Sequence, residues 1–322
     1  MAKQSDQAPA SKTSEEIAIE KSRAIFDRYI VPEGLRYAIE GAKALGQPLL
    51  LTGEPGTGKT TLADWAVHFL RGDTDAFHPL PLQFHTKTSS RATDLFYTYD
   101  ALSHFQAANL KGEKSAETAD YIALQALGLA IAMSHGRPEN PPAFLSELPE
   151  TPRNTVVLID EVDKAPRDFT NDLLDEIERY RFRIRELTEN NAFEKNPDAE
   201  IVVILTSNSE KNLPEAFLRR CAFFHIEFPK EEELRKIVQA QLGHPGEATQ
   251  QAYDELIQFF LDAREKAVRK KPATAELIAW LRLLNMKQYF TQDKTEQKKM
   301  LLHNLSFLVK TQEDFEAVKK LI

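Results

Sequence analysis

A chain of 322 residues, 42% hydrophobic and 28% charged, has the make-up of a soluble globular protein of one large or two ordinary domains, and no apolar run approaches the ~20 residues of a membrane-spanning helix. The opening stretch, MAKQSDQAPASKTSEE, lacks the apolar segment of a secretory signal, and the single cysteine, Cys221, can form no intrachain disulfide, so a reducing, cytoplasmic setting is expected. The net charge of −8 lies in the first 230 residues (26 Lys and Arg against 35 Asp and Glu), while residues 231–322 carry 15 against 14, a distribution opposite to that of a protein built on a polyanion.

Residues 1–14 are polar and read as a disordered tail. A helical pattern follows and stops before Pro32; a second runs from Glu33 to Leu45, with Gly46 as its C-cap. PLLLT then reads as a buried strand, leading into GEPGTGKT and the helical stretch TTLADWAVHFLRG. Three further buried strands are predicted at 80–85, 155–160 and 201–207, and a fifth at 222–228 after a short helix opening on Pro214. Continuous apolar strands alternating with helices predict a mostly parallel sheet covered on both faces. The long stretch 106–152 looks mostly helical and is expected to be an insertion. From Lys230 strand patterns vanish, and helices are predicted at 230–242, 247–270, 273–285 and 294–309. The expected organisation is an α/β core over residues 15–229 followed by an all-helical lid over residues 230–322.

Three of only 12 glycines fall between positions 53 and 58. Gly53, Gly58, Lys59 and Thr60 fit G-x-x-x-x-G-K-[ST] between a strand and a helix, the context this phosphate loop requires. Its backbone amides, from Gly53, Glu54, Pro55, Gly56, Thr57 and Gly58 through Lys59, Thr60 and Thr61, would wrap an anion at a helix N-terminus, with proline contributing shape rather than a donor. Lys59 would reach the β- and γ-phosphates, and the Thr60 hydroxyl would ligate Mg²⁺. A second strand ends in Asp160 and Glu161. Two carboxylates at the tip of an apolar strand make sense where the tip faces charge: Asp160 for the Mg²⁺ shell, through a water, and Glu161 for orienting and polarising an attacking water. The strand 201–207 runs into Asn208, whose amide would position that water. Arg219 and Arg220 close the short helix in LPEAFLRRC; either could stabilise the helix dipole, and the constellation favours an arginine finger acting on a neighbouring subunit.

The order GEPGTGKT, LIDEVDKA, TSN, LPEAFLRRC and then a helical lid resembles the AAA+ ATPases, and TKTSSRATDLFYTYDALSHF with LVKTQEDFE is similar to the MoxR-type branch. The resemblance spans residues 20–322. It implies a P-loop NTPase sheet of strand order 5-1-4-3-2, ATP and Mg²⁺ as ligands, a ring, expected as a hexamer, and chaperone-like activation of partner proteins, among them ones with von Willebrand A domains. It gives Lys59, Thr60, Asp160, Glu161 and Asn208 the Walker A, Walker B and sensor-1 roles and makes Arg220 the finger, with Arg219 as fallback. Where the family offers a sensor-2 arginine, PATAEL puts Glu276; Arg282 lies two turns later and would substitute only with a differently seated lid. The rival readings are a nucleic-acid-directed AAA+ motor or loader and a nucleotide-gated scaffold with little turnover.

Weaker features remain. Arg179–Arg185 alternates strictly, placing four arginines opposite Tyr180, Phe182 and Ile184 in a strand, either as a solvated face or as a surface for an acidic client. His85, at the tip of the second strand, reads either as a satisfied core or edge histidine or as a residue approaching the nucleotide. Ile30 and Val31 are expected either against the adenine or in the core. The run RKK at 269–271 reads as a solvated face or an acidic partner's contact.

Overall fold

The structure, a computed structural model, describes residues 13–72, 74, 76–109, 117–209, 213–243 and 247–322; the predicted tail lies, up to residue 12, outside the described residues. Helix α1 (Ser14–Arg28) opens on a capping box in which Thr13 and Glu16 each accept the other's backbone N–H. Helix α2 (Glu33–Leu45) closes on Gly46 at φ +63°, and β1 (Leu49–Gly53) leads through the glycine loop to α3 (Thr61–Arg71). After β2 (Leu82–His85), a short antiparallel pair, β3 (Tyr97–Tyr99) and β4 (Ile122–Leu124), flanks α4 (Ala101–Asn109). Then come α5 (Ala126–Met133), β5 (Thr155–Asp160) and α6 (Arg167–Arg179), the hairpin β6 (Arg181–Arg183) with β7 (Ala192–Glu194), and β8 (Ile201–Ser207), α7 (Glu215–Leu218) and β9 (Ala222–Ile226).

Five parallel strands form the main sheet in the order β2-β5-β8-β1-β9. Counted as the five core strands in chain order, that is 2-3-4-1-5, the expected P-loop order read from the other edge. The pleat explains why the middle of β5, Val156 to Ile159, is apolar throughout. Val157 and Ile159 pack with Leu50, Val203 and Leu205 under α5 and α6, whereas Val156 and Leu158 join Leu49, Leu51 and Ile204 under α2 and α3. Each such buried side chain contributes about 1.5–3 kcal/mol. Parallel register also brings the strand tips to one edge: His85 lies opposite Asp160, Thr52 opposite Ser207 and Gly53 opposite Ile226. Ligands of open α/β sheets bind at that edge.

The stretch 106–152 differs from the expected helical insertion. Among its described residues the α-helices are the end of α4 and α5, separated by one short 3₁₀ turn and the β4 pairing. Helix α5, ALGLAIAM, is buried almost all round and packs directly on the sheet. A helix with no polar face has none to offer to water, so it becomes part of the core. The arginine ladder is also shorter than predicted. Arg179 ends α6 and pairs with Asp175, Tyr180 turns the chain at φ +43°, and only Arg181 to Arg183 form strand. Phe182 stacks on Phe96 and Phe193 at 4.9 and 5.0 Å, leaving Arg181 and Arg183 exposed.

Beyond Ile226 the described residues hold no strand. Helices α8 (Glu231–Leu242), α9 (Glu247–Lys266), α10 (Thr274–Met286), α11 (Lys294–Leu308) and α12 (Gln312–Lys319) share an apolar interior around Phe260, Trp280, Leu281, Leu305 and Val318. The RKK run belongs to the turn after α9. The backbone N–H groups of Val268, Arg269 and Lys270 all donate to the buried Asp314 carboxylate, and the Arg269 side chain pairs with Glu313. No helix among the described residues is long and apolar enough to cross a membrane.

Candidate functional site

Two adjoining cavities open at the C-terminal edge of the sheet. The smaller, about 330 Å³, is lined by Pro55, Gly56, Gly58, Lys59, Thr60, Thr61, Asp160, Glu161, Thr206, Asn208 and Ala275. Lys59, Thr60, Asp160, Glu161 and Asn208 therefore face one space, although they come from three separate strand tips, while Thr57 lines the neighbouring cavity and Gly53 and Glu54 line neither.

The loop is shaped by what presses on it. Gly56 has φ +80°, and a Cβ there would come within 2.9 Å of the Ala273 methyl at the start of α10. Gly58, at φ +85°, lies against the Tyr29 ring, whose hydroxyl donates to the Gly58 carbonyl at 3.1 Å. Only glycine combines these dihedrals with such close approach. Thr57 braces the loop by donating to the Glu54 carbonyl at 2.8 Å.

Lys59 is buried and donates to the carbonyls of Gly53 (2.7 Å) and Glu54 (3.0 Å) and to Asn208 Oδ1 (3.0 Å). Burial holds its pKa below the usual lysine range, opposed by the carboxylates of Asp163, Asp160, Glu161 and Glu54. The Thr60 hydroxyl lies 3.2 Å from both oxygens of Asp160. A hydroxyl beside a carboxylate is a hard oxygen donor set of the kind Mg²⁺ takes, and the glycine cradle leaves room for phosphate at the N-terminus of α3. The residues present fit a magnesium nucleotide.

Around this centre the structure adds partners that the motifs do not name. The Thr206 hydroxyl donates to Asp160 and accepts the Glu161 N–H at 2.9 Å, so one β8 side chain fixes both acidic residues. Asp163 accepts the Asn208 N–H at 3.2 Å. Glu161 itself sits at φ 58°, ψ 48°, left-handed and sparsely populated for a non-glycine residue, and its carboxylate pairs with Lys164. His85 reaches Asp160 at 3.5 Å from an exposed position. The only sequence signal for Thr206 is the run Thr206-Ser207-Asn208, equally readable as a turn.

The larger cavity, about 560 Å³, lies between the α1–α2 linker, the phosphate loop, the exit from β9, and helices α8 and α10. Ile30, Val31, Ile226, Ile237 and Ile278 give it apolar walls, so the apolar pair preceding the core faces the cavity. Arg282 lines it too, held by Gln241 at 3.1 Å, with the helical region seated as it is. Glu276 uses its carboxylate to accept the Ala273 N–H, capping its own helix beside Gly56.

Arg219 and Arg220 line neither cavity. Arg219 bonds Glu215 one turn back, and the Nε of Arg220 lies 3.9 Å from Glu178; both side chains are more than half exposed.

Residues 48–221 match the AAA domain of the dynein-related subfamily. No curated protein matches the chain. Among solved structures, a proline-to-glycine mutant of RuvB from Thermotoga maritima is similar, with 15% identity, a TM-score of 0.40, and coverage of 92% of this chain and 90% of that one.

Proposed function

The chain belongs to the AAA domain family, dynein-related subfamily, and from that premise we propose that it is an ATP-hydrolysing, ring-forming machine of the MoxR-like type that remodels or activates partner proteins in the cytoplasm. The observation that carries the reading is the convergence of Lys59, Thr60, Asp160, Glu161 and Asn208 on one cavity beside an apolar-walled second one.

In this reading the amides of residues 53–61 and the Lys59 ammonium hold the β- and γ-phosphates, and the apolar cavity takes the base. Thr60, with Asp160 through a water, would hold Mg²⁺, which when bound neutralises charge on the phosphate oxygens. Thr206 keeps the Asp160 carboxylate aimed at that position. Glu161 leaves Lys164 to orient and polarise the attacking water, and Asn208 holds the same water through its amide. Arg220, or Arg219 in its place, reaches the γ-phosphate of a neighbouring subunit, which makes assembly into a ring, a hexamer in this proposal, a condition of turnover. Residues 15–229 act as the core and 230–322 as the lid. A von Willebrand A domain protein is the proposed client class.

Glu161→Gln should lower turnover about 10²–10⁴-fold while ATP binding persists, and Lys59→Ala should abolish binding. Unchanged turnover in Glu161→Gln would sink the catalytic assignment and favour a nucleotide-gated scaffold. Exposed Arg181 and Arg183 favour one second reading, a nucleic-acid-directed motor. Its mark would be a hydrolysis rate stimulated by DNA and losing that stimulation as salt rises.

A further inference from the structure

We infer that Arg264 is a positioning residue that couples the helical C-terminal region to the phosphate loop through the side chain of Glu54, an inference that rests on the nucleotide-binding reading above. Arg264 lies in the last turn of α9, 210 residues from its partner, and its side chain is only 12% exposed. Three contacts fix it. Its guanidinium carbon lies over the Phe228 ring, 3.5 Å from the centroid, Nη1 donates to the Pro272 carbonyl at 2.8 Å, and Nη2 donates to Glu54 Oε2 at 2.5 Å. Phe228 belongs to the segment leaving β9, and Pro272 to the turn entering α10. One side chain thus ties the sheet's exit, the start of α10 and the phosphate loop together.

Glu54 is well placed to report on the loop. Its backbone carbonyl accepts from both Lys59 Nζ and Thr57 Oγ1. A phosphate that draws Lys59 toward itself weakens the hold on that carbonyl, and the change reaches Arg264 through the same residue's side chain. The neighbouring contact runs the same way, because Ala273, just before α10, and Ala275 within it rest on Gly56. Meanwhile Glu276 is committed to capping α10 and carries the wrong charge to meet a phosphate. The helical region therefore reads the nucleotide second-hand, through the shape of the loop. Burial, planarity and a double hydrogen bond make arginine the fitting residue, since a lysine would keep the charge and lose the stack and the fork.

The test uses the full chain with Mg²⁺ and ATP in the Glu161→Gln background, reading ATP affinity directly and amide exchange across residues 274–286 with and without nucleotide. The native contact should give an ATP-dependent change in exchange. Arg264→Ala, Arg264→Lys and Glu54→Gln should each cut that change at least fivefold with ATP still bound, and the Arg264→Ala, Glu54→Gln double variant should match the stronger single within twofold. Retention of the full response in Arg264→Lys and Arg264→Ala would overturn the inference, as would additive effects in the double variant. If Arg264→Ala does not fold, Arg264→Lys and Glu54→Gln carry the same decision. Absence of ATP binding to the Glu161→Gln chain itself would sink the nucleotide reading and this inference with it, whereas binding without the fivefold loss sinks this inference alone.

Discussion

Among the described residues, Arg219 and Arg220 have only glutamates of their own chain as ion-pair partners, Glu215 and Glu178, and surface pairs of that kind contribute at most about 1 kcal/mol. In the proposed ring they would trade those partners for a neighbouring subunit's phosphate. Arg220→Ala is expected to lower turnover about 10³–10⁵-fold with ATP affinity nearly unchanged. Mixing that variant with Lys59→Ala subunits should restore part of the rate, because some interfaces then pair an intact loop with an intact arginine. A mixture no faster than its components would assign the arginine to its own subunit. The adjacent Cys221 thiol is pushed up to about 12 by burial, against about 8.5 for a free thiol. It should alkylate at pH 8 at least ~100-fold more slowly in the native chain than in denaturant, so labelling followed over time reports opening around α7. Side-chain identity at motif spacing makes the convergence of Lys59, Asp160 and Glu161 on one cavity legible in the sequence. It does not reveal that Thr206 ties the two acids together, because a threonine at a strand end looks the same whether it bonds or merely turns.

At the level of elements, legibility follows burial. Strands β5 and β8, of six and seven residues, are built on the apolar runs VVLI and IVVIL with polar residues at their ends, and the predicted bounds match. Within the stretch predicted as a helical insertion, α5 is helical but belongs to the core, which its eight residues do not announce because they carry no amphipathic periodicity. Its packing supplies a sharp test. Gly128 faces the Phe96 backbone, and a Cβ there would fall 2.0 Å from the Phe96 carbonyl oxygen. Gly128→Ala is expected to destabilise the chain by about 1–3 kcal/mol or more, although alanine is the better helix former; chemical denaturation measures it. The turn on Asp314 responds to acid. Burial works to raise its pKa, and hydrogen bonds from Arg269, Thr311, Lys270 and Val268 outweigh it, holding the carboxyl at about 2. A folded-state value below the ordinary carboxylate value of about 4 means the stabilisation is present above about pH 4 and is lost as pH falls through about 2. Asp314→Asn should remove that acid dependence from the helical region and cost on the order of 1–3 kcal/mol at neutral pH, read by circular dichroism across pH.

For the whole molecule, the strand order is implied only by the family resemblance, whereas the α/β class and the helical C-terminal region are legible because each follows from patterns within a few residues. The seating of the helical region on the phosphate loop is not. It depends on Arg264 meeting Glu54 and Ala273 meeting Gly56, pairs more than 200 residues apart that no local periodicity encodes. Arg282 lines the larger cavity and not the smaller one that Lys59 and Asp160 face. Among the described residues, the interior around Phe260 and Trp280 shares no buried residue with the two layers flanking the sheet. Cooperativity is a property of shared interiors, and chains with separate ones need not melt all-or-none. Calorimetry should therefore resolve two endotherms. A ligand lodged in a cleft walled by both parts would raise the lower one toward the upper, so that a single sharpened transition would itself be the signature of occupancy.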